Sequence, residues 1–123
     1  MTSPSVDLDS IMPYGLNVSA NTSSTYIHPD GDSSRIDGSF ILLPVGPCQV
    51  QFTWPGKQDA YVRWVDSSIN EKGIPIEISG GGGEYSPKTA IIGAAPGDKL
   101  QVRTRANASP GTTGTIVVYP TPR

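Results

Sequence analysis

The chain has 123 residues and a formal charge of −2 at neutral pH, enough for one domain and too little for two autonomous cores. Its 14 glycines and 12 prolines, with only 16% charged residues, argue against a helical bundle and against a highly charged disordered chain, and favour short strands joined by many turns. A single cysteine, Cys48, rules out an intrachain disulfide and a Cys-based zinc site, a single histidine, His28, leaves little for acid–base chemistry, and no run of about 18 apolar residues offers a membrane helix.

Residues 1–24 are rich in Ser, Thr, Asn and Asp, with scattered apolar anchors. They read as an extended N-terminal arm preceding a β-sandwich domain over 25–123, with a first edge strand and a loose tail as the alternative. The opening MTSPSVDLDS carries neither a basic region nor an apolar core, so no secretory signal is visible in it. Phe40-Ile41-Leu42-Leu43, stopped by Pro44, suits a buried strand. Cys48, Val50, Phe52 and Trp54 then alternate with Gln49, Gln51 and Thr53, a period of two with one face buried. Trp54-Pro55-Gly56-Lys57 reads as a type II turn with Gly56 at positive φ, which predicts a hairpin between 48–54 and 59–65.

Residues 66–73 are polar and hold at most one helical turn. Ile74, Ile76 and Ile78 alternate with polar neighbours, and Pro75, lacking an N–H, places that strand at a sheet edge. Gly80 to Gly83 form a loop, Thr89 to Ile92 a short strand, and Ala95-Pro96-Gly97-Asp98 a turn. Strands follow over Lys99–Arg105 and Thr115–Tyr119. Seven or eight short strands with turn signals every 8–12 residues or so define an all-β class, a single sandwich or jelly roll.

No catalytic motif emerges from this scaffold. The Gly80–Gly83 run lacks the Lys-Ser/Thr of a phosphate loop and is followed by Glu84, which would repel phosphate. Asp30-Gly31-Asp32 opens like a calcium loop, but the sixth and twelfth positions hold Arg35 and Ile41 instead of Gly and Glu. His28 lies before Pro29 with no G-x-S-x-G elbow in the chain. Cys48 sits on the apolar face of its strand and reads as a small core hydrophobe. The expectation is a non-enzyme without cofactor or metal.

Charge is distributed unevenly. Residues 1–84 carry four basic and ten acidic side chains, residues 85–123 five basic and one acidic. Alternation puts Lys99, Gln101, Arg103 and Arg105 on one face of their strand and Leu100, Val102 and Thr104 on the other. A row of cations on a sheet face can meet nucleic acid or an acidic protein surface. The sequence pI of 5.1 and the lack of an RNA-binding signature argue against nucleic acid. An acidic arm, with Asp7 and Asp9 flanking Leu8, laid over a neighbour's basic strand gives a self-complementary contact between copies. A second function class uses Trp54, Tyr61, Trp64 and Tyr85 as an aromatic platform for a sugar face, in a lectin-like or tail-associated receptor-binding module.

The final third, PGDKLQVRTRANASPGTTGTIVVYP, resembles the closing hairpin of small trimeric jelly-roll modules: Gly97-Asp98 opens a long strand and Gly114 leads to the last one. In layout, the whole chain is similar to small accessory proteins of tailed bacteriophages, head decoration proteins above all. That resemblance implies a structural protein of the virion, made in the host cytoplasm. It implies a homo-oligomer, a trimer, bound where subunits of a major capsid protein meet. No site residues are carried over with it.

Overall fold

The strands pair into two antiparallel sheets that face each other across one core. The structure is a computed structural model, and residues 12–80 and 87–121 are described. Its strands are β1 (Tyr14–Ser19), β2 (Ser24–Tyr26), β3 (His28–Asp30), β4 (Ile36–Asp37), β5 (Phe40–Leu42), β6 (Gly46–Thr53), β7 (Ala60–Val65), β8 (Glu71–Ile78), β9 (Lys88–Ala94), β10 (Lys99–Ala108) and β11 (Thr113–Pro120). Sheet one has the order β3-β1-β11-β6-β9, and sheet two β4-β5-β10-β7-β8 with β2 also paired to β10. A 3-10 turn, Ser33–Arg35, precedes β4. Asp32 caps it by accepting from the Ser34 N–H and hydroxyl. The architecture is a jelly-roll-like β-sandwich without an α-helix among the described residues.

The alternation read from the sequence sets each strand's buried face. Cys48, Val50 and Phe52 of β6, Leu100 and Val102 of β10, and Ile116 and Val118 of β11 are all buried, while their odd-numbered neighbours on β11 point outward. Pro75 sits in β8, which is an edge of sheet two, as its missing N–H requires. The turn at 95–98 closes through the Asp98 N–H donating to the Ala95 carbonyl, with Gly97 at φ +85°.

Three expectations of partnership are corrected. The strands at 48–54 and 59–65 are not a hairpin: β6 pairs with β11 and β9 in sheet one, and β7 with β10 and β8 in sheet two. Gly56 does not take positive φ. It serves close approach instead, since a Cβ there would stand 2.6 Å from Trp54 Nε1. The chain thus crosses between sheets at Trp54, whose ring is buried and stacked on Phe52 with centroids 6.5 Å apart. Likewise β10 and β11 do not form a closing hairpin, because they lie in opposite sheets. The arm does not reach residue 24: β1 lies between β3 and β11 and buries Leu16 and Val18. Asp7, Leu8 and Asp9 fall outside the described residues.

For the two hairpins the strands are right and the partner wrong, whereas at Tyr14–Ser19 a strand stands where an arm was expected. A strand that buries one face looks the same in sequence whether its chain neighbour lies beside it or across the core.

Gly114 marks a second close approach at this crossing. A Cβ there would lie 2.3 Å from the Thr53 carbonyl oxygen and 2.9 Å from Trp54 Cε3. Gly114→Ala is therefore expected to lower stability by about 1–3 kcal/mol in urea unfolding. Gly73→Ala, where nothing lies within 4 Å of the added carbon, is expected to change it by less than about 0.5 kcal/mol. Equal losses at both positions would show that packing on Trp54 does not constrain Gly114.

Candidate functional site

The basic strand face forms as the alternation requires. Lys99, Gln101, Arg103 and Arg105 line the outer face of sheet two along β10, with Leu100, Val102 and Thr104 buried beneath. Register sets Tyr61 of β7 and Tyr26 of β2 on either side of Arg103, and Arg63 and Phe40 on either side of Gln101. Each cation then finds an aromatic ring. Lys99 Nζ lies 5.5 Å from the Phe40 centroid, the Arg103 guanidinium 4.3 Å from Tyr26, and the Arg105 guanidinium 4.1 Å from Tyr61.

Most of these cations also have an anion. Lys99 pairs with Asp37 at 3.0 Å, Arg105 with Glu77 at 3.2 Å, and Arg63 with Glu71 at 2.9 Å. Arg63 donates to the Gln101 side-chain carbonyl, and Gln101 in turn donates to Ser39 Oγ at 2.8 Å. Arg103 donates to Thr25 Oγ1 at 2.9 Å. Most of the polar groups of the basic face are thus engaged within the chain, Arg103 Nε being buried without a hydrogen-bond partner, and Gln101 and Val65 on this face are buried.

The strongest electrostatic node is Asp98, 2% exposed at the start of β10. Its Oδ2 accepts from Lys72 Nζ at 2.8 Å, Trp64 Nε1 at 2.9 Å and the Ala95 N–H at 3.0 Å. Burial pushes the carboxyl pKa up, but the three donors outweigh it and hold it below the usual carboxylate range. Lys72 also lies 4.5 Å from the Trp64 ring. The node ties the 95–98 turn to β7 and β8.

The aromatic residues considered for a sugar platform do not share a surface. Trp54 is 2% exposed in the core, Tyr61 is 9% exposed beneath Arg105, and Trp64 lies under Lys72. Tyr85 falls outside the described residues. Asp32 caps its turn and Asp37 pairs with Lys99, so these two carboxylates are used separately. Burial pushes the Cys48 thiol pKa up, which keeps it protonated. Desolvation likewise raises the Tyr14 hydroxyl pKa, and that hydroxyl donates to the Leu42 carbonyl across the sandwich.

The outer face of sheet one is the opposite surface in composition. Across β1, β11, β6 and β9, the outward positions hold residues such as Asn17, Thr115, Val117, Gln49 and Ile91, none of them charged. Ile91 is 81% exposed and Tyr119 is 38% exposed, its hydroxyl donating to Gln51 at 3.1 Å. Sequence reasoning passed over this face because it searched for charge and aromatic clusters. The signal was present as a run of outward Thr, Gln and Asn at every second position.

No protein-family model and no curated protein matches the sequence. Among solved structures, the chain is similar to murine APRIL, at 14% identity and a TM-score of 0.49, over 86% of this chain and 98% of that one. It is similar to Eiger TNF from S. frugiperda, at 14% identity and a TM-score of 0.43, over 90% and 94%. The globular domain of zebrafish complement 1qA protein follows at 9% identity and a TM-score of 0.43, over 87% and 95%.

The Asp98 node gives a pH-dependent prediction. Its folded pKa lies below the unfolded value of about 3.9, so its contribution is present above that value and is lost as pH falls through the folded pKa. Asp98→Asn is expected to lose about 1–3 kcal/mol at pH 7, with the gap from the parent closing as pH falls below about 4. A gap in urea unfolding that stays constant down to acid pH would show that the carboxylate charge contributes nothing.

Proposed function

We propose that the chain is a non-enzymatic structural module that works as a homo-oligomer on the surface of a virion. The observation that carries self-association is the division of charge between its two outer faces. On sheet two, lysines and arginines are occupied by carboxylates and rings of the same chain. On sheet one the outward positions of β1, β11, β6 and β9 are uncharged, with Ile91 standing 81% exposed, and a carboxylate enters only at the β3 edge, where Asp30 lies opposite Asn17. Depletion of charge with exposed apolar side chains is the composition of an interface core, and burying such a face strands no ion away from water.

The virion reading rests on the likeness in layout to head decoration proteins. It makes the partner a major capsid protein, and three copies the expected assembly. Several copies on a repeated lattice bind through many modest contacts at once. Membrane and nucleic acid have no part in this reading. A cation ladder already paired within the chain has little free charge left for phosphates.

Light scattering after size exclusion tests the self-association. The expected mass is a whole multiple of 13.0 kDa and is the same at low and high salt, because an uncharged contact is not screened. A monomer overturns the oligomer, and a mass that collapses in salt moves the contact to the charged face. For the virion, quantitative mass spectrometry of particles from the source of this sequence is expected to find the chain in copy numbers comparable to the major capsid protein. Its absence from the particles overturns that assignment.

A further inference from the structure

The two sheets have four edges, and three of them are guarded. β3 at one edge of sheet one is three residues long and contains Pro29. β4 at one edge of sheet two has two residues. β8 at its other edge carries Pro75 together with Glu71, Lys72 and Glu77. Short length, proline and charge are the devices by which folded chains keep sheet edges from pairing with others. The fourth edge, β9, is neither short nor interrupted by proline, and charge enters it only at its first residue. It runs for seven residues, Lys88–Ala94, without proline and with Lys88 at its first position as its single charge. It pairs with β6 on one side, and no described strand pairs with the other, although β8 of sheet two runs near β9 without pairing to it. Its outward side chain Ile91 is the most exposed large hydrophobe among the described residues.

We infer that β9 is an intermolecular pairing edge, and that its occupant is β9 of a second copy, antiparallel about a two-fold axis at Ile91. The sequence KTAIIGA fits this register. Ile91 meets its counterpart, Thr89 meets Gly93, Ala90 meets Ile92 and Lys88 meets Ala94. The inner positions therefore hold apolar or neutral pairs, each Lys88 faces an Ala94, and the two lysines stand at opposite ends, about 20 Å apart at 3.3–3.4 Å per residue. Like charges directly opposite would destabilise the ladder, and this register has none. Ile92, on the inner face, is already buried in each copy, so the pairing needs no rearrangement of either core. The two first sheets join into one continuous sheet of ten strands, with their outer faces side by side.

This inference rests on the reading that the chain self-associates, and it adds a two-fold contact that pairs single copies or pairs of oligomers. Two substitutions test it, both at a side chain that the core does not use. Ile91→Lys sets two ammonium groups face to face and is expected to halve the mass in solution with an unchanged far-UV spectrum. Ile91→Cys is expected to crosslink on mild oxidation into a species of about twice 13.0 kDa, since opposite residues of a strand pair have Cα atoms about 4.5–5.5 Å apart, within disulfide reach. Thr89→Cys is the register control. Its counterpart stands about 13 Å away at the strand rise of 3.3–3.4 Å, beyond the roughly 7 Å limit, and it is expected to stay uncrosslinked.

An oligomer whose mass Ile91→Lys leaves unchanged, and which Ile91→Cys does not crosslink, overturns the β9 contact and leaves self-association standing. Crosslinking at Thr89→Cys and not at Ile91→Cys overturns the register. A parent chain that is monomeric overturns both the contact and the oligomer on which it rests.

Discussion

The structure depends on the burial of Trp54 where β6 leaves sheet one and the chain crosses to β7 in sheet two. The ring stacks beside Phe52, and Gly56 and Gly114 hold the backbone against it with no room for a side chain. A large aromatic at the crossing fixes the distance between sheets and the direction in which β7 starts. From there the remaining strands have one consistent way to bury their apolar faces, at about 25 cal/mol for each Å² removed from water. The Asp98 node closes the other side of the sandwich, where Lys72, Trp64 and the 95–98 turn converge on one buried carboxylate. Between them the two points hold the crossing from β6 to β7 and the entry into β10.

With the core fixed, the outer faces are free to diverge, and they do so sharply. On sheet two, rings and long cationic stems lie flat over β10 and its neighbours. They make a polar cover in which Gln101 is as inaccessible as a core residue. Such a cover neutralises itself at short range and presents few unsatisfied groups to a ligand. On sheet one, Thr, Gln and Asn alternate with the buried apolar residues, with Ile91 and Tyr119 standing out of an otherwise even surface. The contrast is between a face whose many charges are engaged within the chain and a face whose central strands carry none.

Much of this was legible from residue order. Pro75 at an edge, Cys48, Val50, Phe52 and Trp54 facing inward, and Lys99, Arg103 and Arg105 sharing an outer face all follow from the period of two and the missing N–H of proline. The sheet partners were not legible. Strands β6 and β7, and again β10 and β11, are close in sequence, and short connections usually join hydrogen-bonded neighbours. Here both pairs face each other across the core, which satisfies the same alternation. The segment Tyr14–Ser19 looked like part of an arm because its apolar residues are sparse. Two of them, Leu16 and Val18, on the inner side suffice once β3 and β11 flank the strand.

The sequence by itself therefore determined the fold class, the positions of the strands from Phe40 onward and the inner and outer face of those that alternate, because these depend on properties of consecutive residues. The tertiary structure alone decided which strands are neighbours, that the row of cations is engaged by Asp37, Glu77, Tyr26, Tyr61 and Phe40, and that β9 ends a sheet with no described strand paired to its outer side. Those outcomes depend on groups far apart in the chain. Lys99 and Asp37 are 62 residues apart and meet only because β4, β5 and β10 share a sheet. A sheet edge is likewise no property of the strand that forms it. It is set by where the last partner stops, and the composition of β9 acquires its meaning only from that position.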